Sequence, residues 1–362
     1  MIYSAIFFIV MCICIPLVLP YIYKGVREVI TVNSVPAIIG TISAVLNFSL
    51  LILIYFWEMW NSKKIKKYLN DMAVMSEFEE CLFKIASSKD MSNPLYYLFL
   101  KIFLCEVLNI VFNILSSITL AMQFEKEAAY VGFVAMYPYI AQFTISTYIF
   151  MGTLRTKFFF MLLNKNILKI VNELKQSDVS QMKDFQRITF SCNLSDRLDE
   201  YAIYYNHLSK TIKGLLDLYS YQLLLLIVNN FVTTTFQIFM QYVVILLEMR
   251  GNIQLNMWAN ISSLIFLIIG YLDFILHGIV AQQIRTEAQR TGLILHRIPT
   301  SQMDIRFQRS IELFSLLVLH EQPKVEVCGI LILDIGFVSS TIDSIDSVIV
   351  CSQHDAQEWN TL

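Results

Sequence analysis

Gly329-Ile-Leu-Ile-Leu-Asp334-Ile-Gly336-Phe-Val-Ser339-Ser340-Thr-Ile-Asp343-Ser-Ile-Asp346-Ser347-Val-Ile-Val350-Cys-Ser-Gln353-His354 is long enough to cross a bilayer as a helix. It also holds three carboxylates, each costing about 2.5–3.5 kcal/mol near the centre of an inserted helix. At about 100° of rotation per residue, Asp343 and Asp346 share a face with Ser339, Ser340, Ser347 and Val350. Phe337, Val338, Ile342, Ile345, Val348 and Ile349 fall outside that face. Two arrangements fit this pattern. The polar face lines an aqueous path, or the small residues let helices pack closely while the Asp side chains bond to neighbours. Asp334 points away from Asp343 and is expected to contact a neighbouring helix.

The rest of the chain sets that stretch in a membrane. Of 362 residues, 56% are hydrophobic and only 15% charged, far from the balance of a soluble domain. The composition predicts an all-α, polytopic membrane protein forming one domain over 1–362. A net charge of −2 gives no reason to expect nucleic acid as a partner. The seven Cys are scattered and predict no disulfide framework.

Apolar runs of spanning length occur at 2–23, 36–57, 95–121, 129–151, 219–247, 257–281 and 328–352. Met1–Tyr23 has no basic run ahead of it, so it reads as a retained first span rather than a signal peptide. Lys and Arg then fix the orientation. The second, fourth and sixth loops carry 22 of them, and the odd loops only Lys24, Arg27, Lys126 and Arg250. Because that excess marks the cytoplasmic side, seven spans place the amino terminus inside and the carboxy terminus outside. This is the reverse of a G-protein-coupled receptor. Asn93-Pro94-Leu95-Tyr96-Tyr97 matches the Asn-Pro-x-x-Tyr of those receptors, but it opens the third span instead of closing the seventh.

The inner loops are long and carry helical periodicity. Phe158, Met161, Leu162, Leu168, Val171 and Leu174 form one apolar stripe, and Leu198, Tyr201, Tyr205, Leu208, Ile212 and Leu215 a second. Ile305–Leu319 gives a third helix, with Ile311, Phe314, Leu317 and Val318 as its stripe and Pro323 beyond its end. Residues 152–218 and 282–325 are thus expected to form cytoplasmic helical extensions that pack on one another, on other subunits or on the membrane surface. The outer loops are short, so a ligand from outside must bind among the helices. Asn47, Asn113, Tyr137, Tyr139, Gln241, Tyr242, Trp258 and Asn260 suit a pocket of aromatic walls and polar anchors. The same residue types also gather at interfaces and bridge helices. Glu106 and Asp273 lie deeper and are expected to face protein.

Catalytic and metal-binding patterns are absent, so neither an enzyme nor a cofactor is expected: there is no His-Glu-x-x-His, Cys-x-x-Cys, phosphate-binding Gly loop or Gly-x-Ser-x-Gly. The five His are isolated in sequence and read as structural. A secondary transporter would use Glu106, Asp273 and the last-span carboxylates for coupling, but the sequence shows neither an internal repeat nor matched broken spans.

The chain resembles the insect gustatory receptor family, which is related to the insect odorant receptors. The resemblance rests on Leu319-His320, Gly329-Ile-Leu-Ile-Leu-Asp334, the span closing at Gln353, and Arg285-Thr-Glu287-Ala-Gln-Arg-Thr-Gly-Leu-Ile-Leu-His296 upstream. The family ends its last span with Thr-Tyr, five mostly apolar residues and Gln-Phe. Here Asp346-Ser347, Val348–Ser352 and Gln353-His354 stand at those places. The resemblance implies a ligand-gated, non-selective cation channel in the plasma membrane of gustatory neurons, opened by a small-molecule tastant. Four like or unlike subunits would surround a pore helix at 328–353. Asp343 and Asp346 would form acidic rings, with Val350 and Gln353 nearer the outer constriction. The departures from the ending also fit a non-conducting modulatory subunit.

Overall fold

The computed structural model describes residues 34–74, 88–123, 126–177, 182–249, 257–300 and 303–341, together with Ile9, Ile13 and Pro20. Side chains toward several helix ends, including those of Asn113, Trp258 and Asn260, lie outside the description. The architecture is helical: α1 (Ser34–Trp60), α2 (Ser62–Val74), α3 (Ser88–Leu100), α4 (Leu108–Gln123), α5 (Lys126–Gln176), α6 (Asp184–Met249), α7 (Met257–Leu295) and α8 (Ile305–His320). A π-helical segment, Lys101–Val107, joins α3 to α4. The apolar runs 36–57, 95–121, 129–151, 219–247 and 257–281 each fall within a described helix or this α3–α4 rod.

Contacts between helices fix their relative directions. Asn47 meets Asn229 while Trp57 meets Leu218, so α1 and α6 are antiparallel. Ser146 meets Asp273 while Asn164 meets Thr291, so α5 and α7 run the same way. Lys101 meets His277 while Tyr97 meets Gln283, which sets the α3–α4 rod against α7. Successive spans therefore alternate, as a chain threading a layer must.

α5 has 51 residues and α6 has 66, roughly 77 and 99 Å at 1.5 Å per residue, against an apolar bilayer core of about 30 Å. The surplus forms a helical module with α8 and the end of α7. Its core is built from the sequence-predicted stripes: Phe158, Leu162, Val171 and Leu174 of α5, all six of Leu198, Tyr201, Tyr205, Leu208, Ile212 and Leu215 on α6, and Ile311, Phe314 and Val318 of α8 are buried. Asp304 caps α8 by accepting from the Arg306 N–H. Tyr205 donates to the Glu321 carbonyl at 2.9 Å, tying the far end of α8 to α6.

The stretch from 328 differs from the single helix expected over 328–353. β1 (Glu326–Val327) pairs antiparallel with β2 (Leu331–Ile332), and Cys328 and Gly329 make the turn at φ 54° and 67°. Positive φ at both central residues is the primed turn that matches hairpin twist, and Gly takes it without steric cost. A helix begins only at 335 and is described to 341. Asp334 caps it: its Oδ1 accepts from the Phe337 N–H at 2.8 Å. Asp334 therefore caps this helix with its side chain while its backbone carbonyl meets the neighbouring helix α7 at Gly278, the contact expected of it. Gly329–Leu333 misleads because a short apolar run reads equally as strand or helix.

Candidate functional site

A cavity of about 70 Å³ lies between α5, α6 and α7, room for about five water-sized groups. Tyr139, Phe143 and Phe274 supply aromatic wall, and α6 presents Asn229, Asn230, Thr233, Thr234 and Gln237 along one helical face. Asp273, His277 and Ser146 also line it, and Leu333, just before the last helix, closes one side.

Behind Asp273 sits Lys101, whose ammonium pairs with Oδ1 of the carboxylate. The Ser146 hydroxyl donates to Asp273 Oδ2 at 2.9 Å and accepts from Lys101 Nζ at 2.9 Å. Since that hydroxyl has only one hydrogen, His277 Nε2, also 2.9 Å away, must be the donor in its contact with Ser146. Phe150 packs edge-on to the His277 ring at 5.3 Å and places its own face toward the Lys101 ammonium, 5.6 Å away. Desolvated charges survive only when paired and hydrogen-bonded. Here one cation, one carboxylate, a hydroxyl and an imidazole from three separate elements meet that condition together.

A second polar network lies on the α1 side of the cavity. Asn47 Oδ1 accepts from Gln142 at 3.1 Å and from Asn229 at 2.9 Å, and Asn229 also donates to Gln142 Oε1 at 3.1 Å. Asn47 donates to the Tyr139 hydroxyl at 3.3 Å. Amides suit this place because each offers both donor and acceptor in a layer without water.

The floor of the cavity connects to the last helix. On α7, a carbon added at Gly278 would stand 2.7 Å from Val338 Cγ2 and 3.3 Å from the Asp334 carbonyl, so only glycine permits this approach. Phe274 packs edge-on to Phe337 at 5.8 Å, and the Gln282 side chain accepts from the Ile335 N–H at 3.3 Å. The residues that line the cavity (Asp273, Phe274 and His277) and those that seat the last helix (Phe274, Gly278 and Gln282) thus overlap on one stretch of α7, with Phe274 serving both.

Of the sequence-predicted pocket residues, Tyr139 lies on the cavity wall and Asn47 in the network behind it. Tyr137 bonds to the Tyr55 hydroxyl at 3.1 Å, and neither it nor the half-buried Gln241 and Tyr242 is on the wall. The backbones of Asn113, Trp258 and Asn260 are helical. Asp343, Asp346, Val350 and Gln353 lie outside the described residues. Asp273 faces protein as expected, and Glu106 is half-buried in the π-helical segment. His277, isolated in sequence, is not isolated in space. Lys101 was missed although a signal existed: of 27 Lys and Arg it alone belongs to no loop. A cation inside a span requires a partner. Among the described residues, no group of three or more His, Cys, Asp or Glu is placed to hold a metal.

The sequence profile of the 7tm chemosensory receptors matches residues 1–350. The chain belongs to that family. This chemosensory receptor is 26% identical over 286 residues to a Drosophila melanogaster protein named as gustatory receptor 97a. That alignment covers 76% of this chain and 66% of the relative, so the chain spans just under two thirds of the relative's length. Its fold is that of the insect olfactory receptor OR5 from Machilis hrabei, with a TM-score of 0.61 over 93% of this chain and 87% of that one at 12% identity. The family and the apolar helices make it a multi-pass membrane protein.

Proposed function

We propose that this receptor is a ligand-gated, non-selective cation channel, opened by a small-molecule tastant that enters the cavity between α5, α6 and α7. The observation that carries this reading is the shared stretch of α7: Asp273 and His277 line the cavity while Phe274 and Gly278 seat the beginning of the last helix. A ligand that shifts α7 shifts that seat. Binding then opens the pore to the extent that it favours the open arrangement over the closed one.

Four subunits surround the last helices in this reading. Leu293, Ile305, Leu313, Leu316 and Leu319 are exposed on the helical module, and Ile330 on the hairpin beside it. The charge distribution places that module in the cytoplasm, where lipid does not cover it, so like or related subunits do. Asp343 and Asp346 form acidic rings that concentrate cations, with Val350 and Gln353 farther out. The site of action is the plasma membrane of gustatory neurons.

Currents recorded from cells expressing the receptor test the channel. Neutralising both carboxylates as Asp343→Asn with Asp346→Asn should lower cation permeability or conductance several-fold; unchanged values in a functional channel would overturn their role. Tags placed after Leu362 and near Lys183 test the orientation. Labelling of the first alone in intact cells is expected, and the opposite pattern would remove the inverted topology and the channel reading with it. A second reading, a non-conducting modulatory subunit, is favoured by Asp346-Ser347 and His354 at the places of the family's Thr-Tyr and Phe. Ligand-evoked current that appears only with another receptor chain would decide for it.

A further inference from the structure

Asp273 is the one formally charged residue among those described on the cavity wall. Its counter-ion reaches it from behind. Lys101 is completely buried and does not line the cavity, whereas the Asp273 side chain keeps 13% of its surface exposed. An ionised carboxylate has about four lone-pair directions. Lys101 engages one oxygen and Ser146 the other, so acceptor capacity remains for a molecule in the cavity. Glu106 follows Lys101 on the same π-helical segment and interacts electrostatically with it, but it is not on the wall, so a ligand meets only the Asp273 carboxylate directly. Above Asp273, the polar groups of α6 (Asn229, Asn230, Thr233, Thr234 and Gln237) are all uncharged.

We propose that Lys101 determines the ligand class of this cavity. By neutralising Asp273 from behind, it makes the chamber a site for a small uncharged molecule rich in hydrogen-bond donors, and it shuts out protonated amines. An ammonium ion entering the wild-type cavity would lose its hydration and meet a carboxylate already balanced by another ammonium. A hydroxyl loses far less on entry and still finds Asp273 as a strong acceptor. This inference rests on the reading of the cavity as the ligand site.

Lys101→Ala strips the counter-ion and opens space behind Asp273. The purified full-length receptor is melted in detergent with propylammonium or with its uncharged counterpart 1-propanol. Propylammonium should raise the melting midpoint of K101A saturably, with half-saturation about tenfold or more below that of 1-propanol, the size of one charge-assisted hydrogen bond. Wild type and the K101A/D273N double variant should show no such preference. Equal response of K101A to both probes, or the same ammonium preference in wild type, would overturn the proposal. If K101A does not accumulate, propylammonium in the growth medium should restore it, while K101A/D273N accumulates without the amine. Lack of rescue, or loss of the neutral double variant, counts equally against it. Melting does not depend on current: a receptor that acquires the ammonium preference but never conducts refutes the channel alone, and one that conducts normally without it refutes the Lys101 role alone.

Discussion

Two halves of α6 follow opposite rules. From Leu194 to Leu223 the buried positions are mostly large and apolar, among them Leu198, Tyr205, Ile212 and Leu215. Farther along, the buried positions become Asn229, Thr233 and Thr234, while Val228 and Val232 turn outward. On α5 the exchange is only partial: Gln142, Ser146 and Thr147 are buried beside Ile149 and Phe150, and Phe158, Leu162 and Ile170 fill the core lower down together with Asn164 and Asn166. The solvent explains the change. Next to water, burying apolar surface drives packing, at about 25 cal/mol per Å². Next to lipid that gain vanishes, and helices are joined instead by packing and by polar pairs that find no other partner. The exchange along α6 therefore marks where the helical module ends and the membrane layer begins.

A reciprocal swap along α6 would break this comparison most sharply. Leu198→Asn removes a fully buried side chain from the module and leaves an amide without partners, and should cost roughly 3–5 kcal/mol, read as a large fall in melting temperature or loss of folded receptor. Asn229→Leu makes the membrane half more apolar, which would help a soluble core. Here it strands Asn47 and Gln142 and should cost about 1–3 kcal/mol in the same melt. A stabilised Asn229→Leu receptor would show that the network is not a helix tie. The smallest effect belongs to the half-exposed pair of Arg197 with Glu173, bonded at 2.6 and 3.1 Å. Arg197→Gln should change stability by about 1 kcal/mol or less, because water competes for both partners. Its melt should also respond to salt, whereas the Lys101–Asp273 pair, 0% and 13% exposed, should be screened much less.

Much of the module could be read in advance because one stripe of apolar residues per helix is a local pattern. All six members of the Leu198–Leu215 stripe are buried, as is most of the Phe158–Leu174 stripe. The membrane half was less legible. Its spans are apolar on nearly every face, so periodicity does not say which side turns inward, and the pocket residues chosen by type gave Tyr139 on the wall but Tyr137 on Tyr55 instead. The hairpin at 326–332 stayed hidden behind its apolar composition, although Gly329 and the capping Asp334 were both available as signals against one continuous helix.

By itself the sequence determined the helical class, the alternation of spans and the amphipathic faces of the module. Each follows from the order of apolar and polar side chains within a few helical turns. Only the tertiary structure decided that Lys101, Ser146, Asp273 and His277 form one cluster, with Lys101 and His277 separated by 176 positions in the chain. It also decided that Gly278 seats the last helix beside that cluster. Such pairings depend on which faces of distant helices meet, and in a layer where lipid and protein are equally apolar, only the packed bundle selects them.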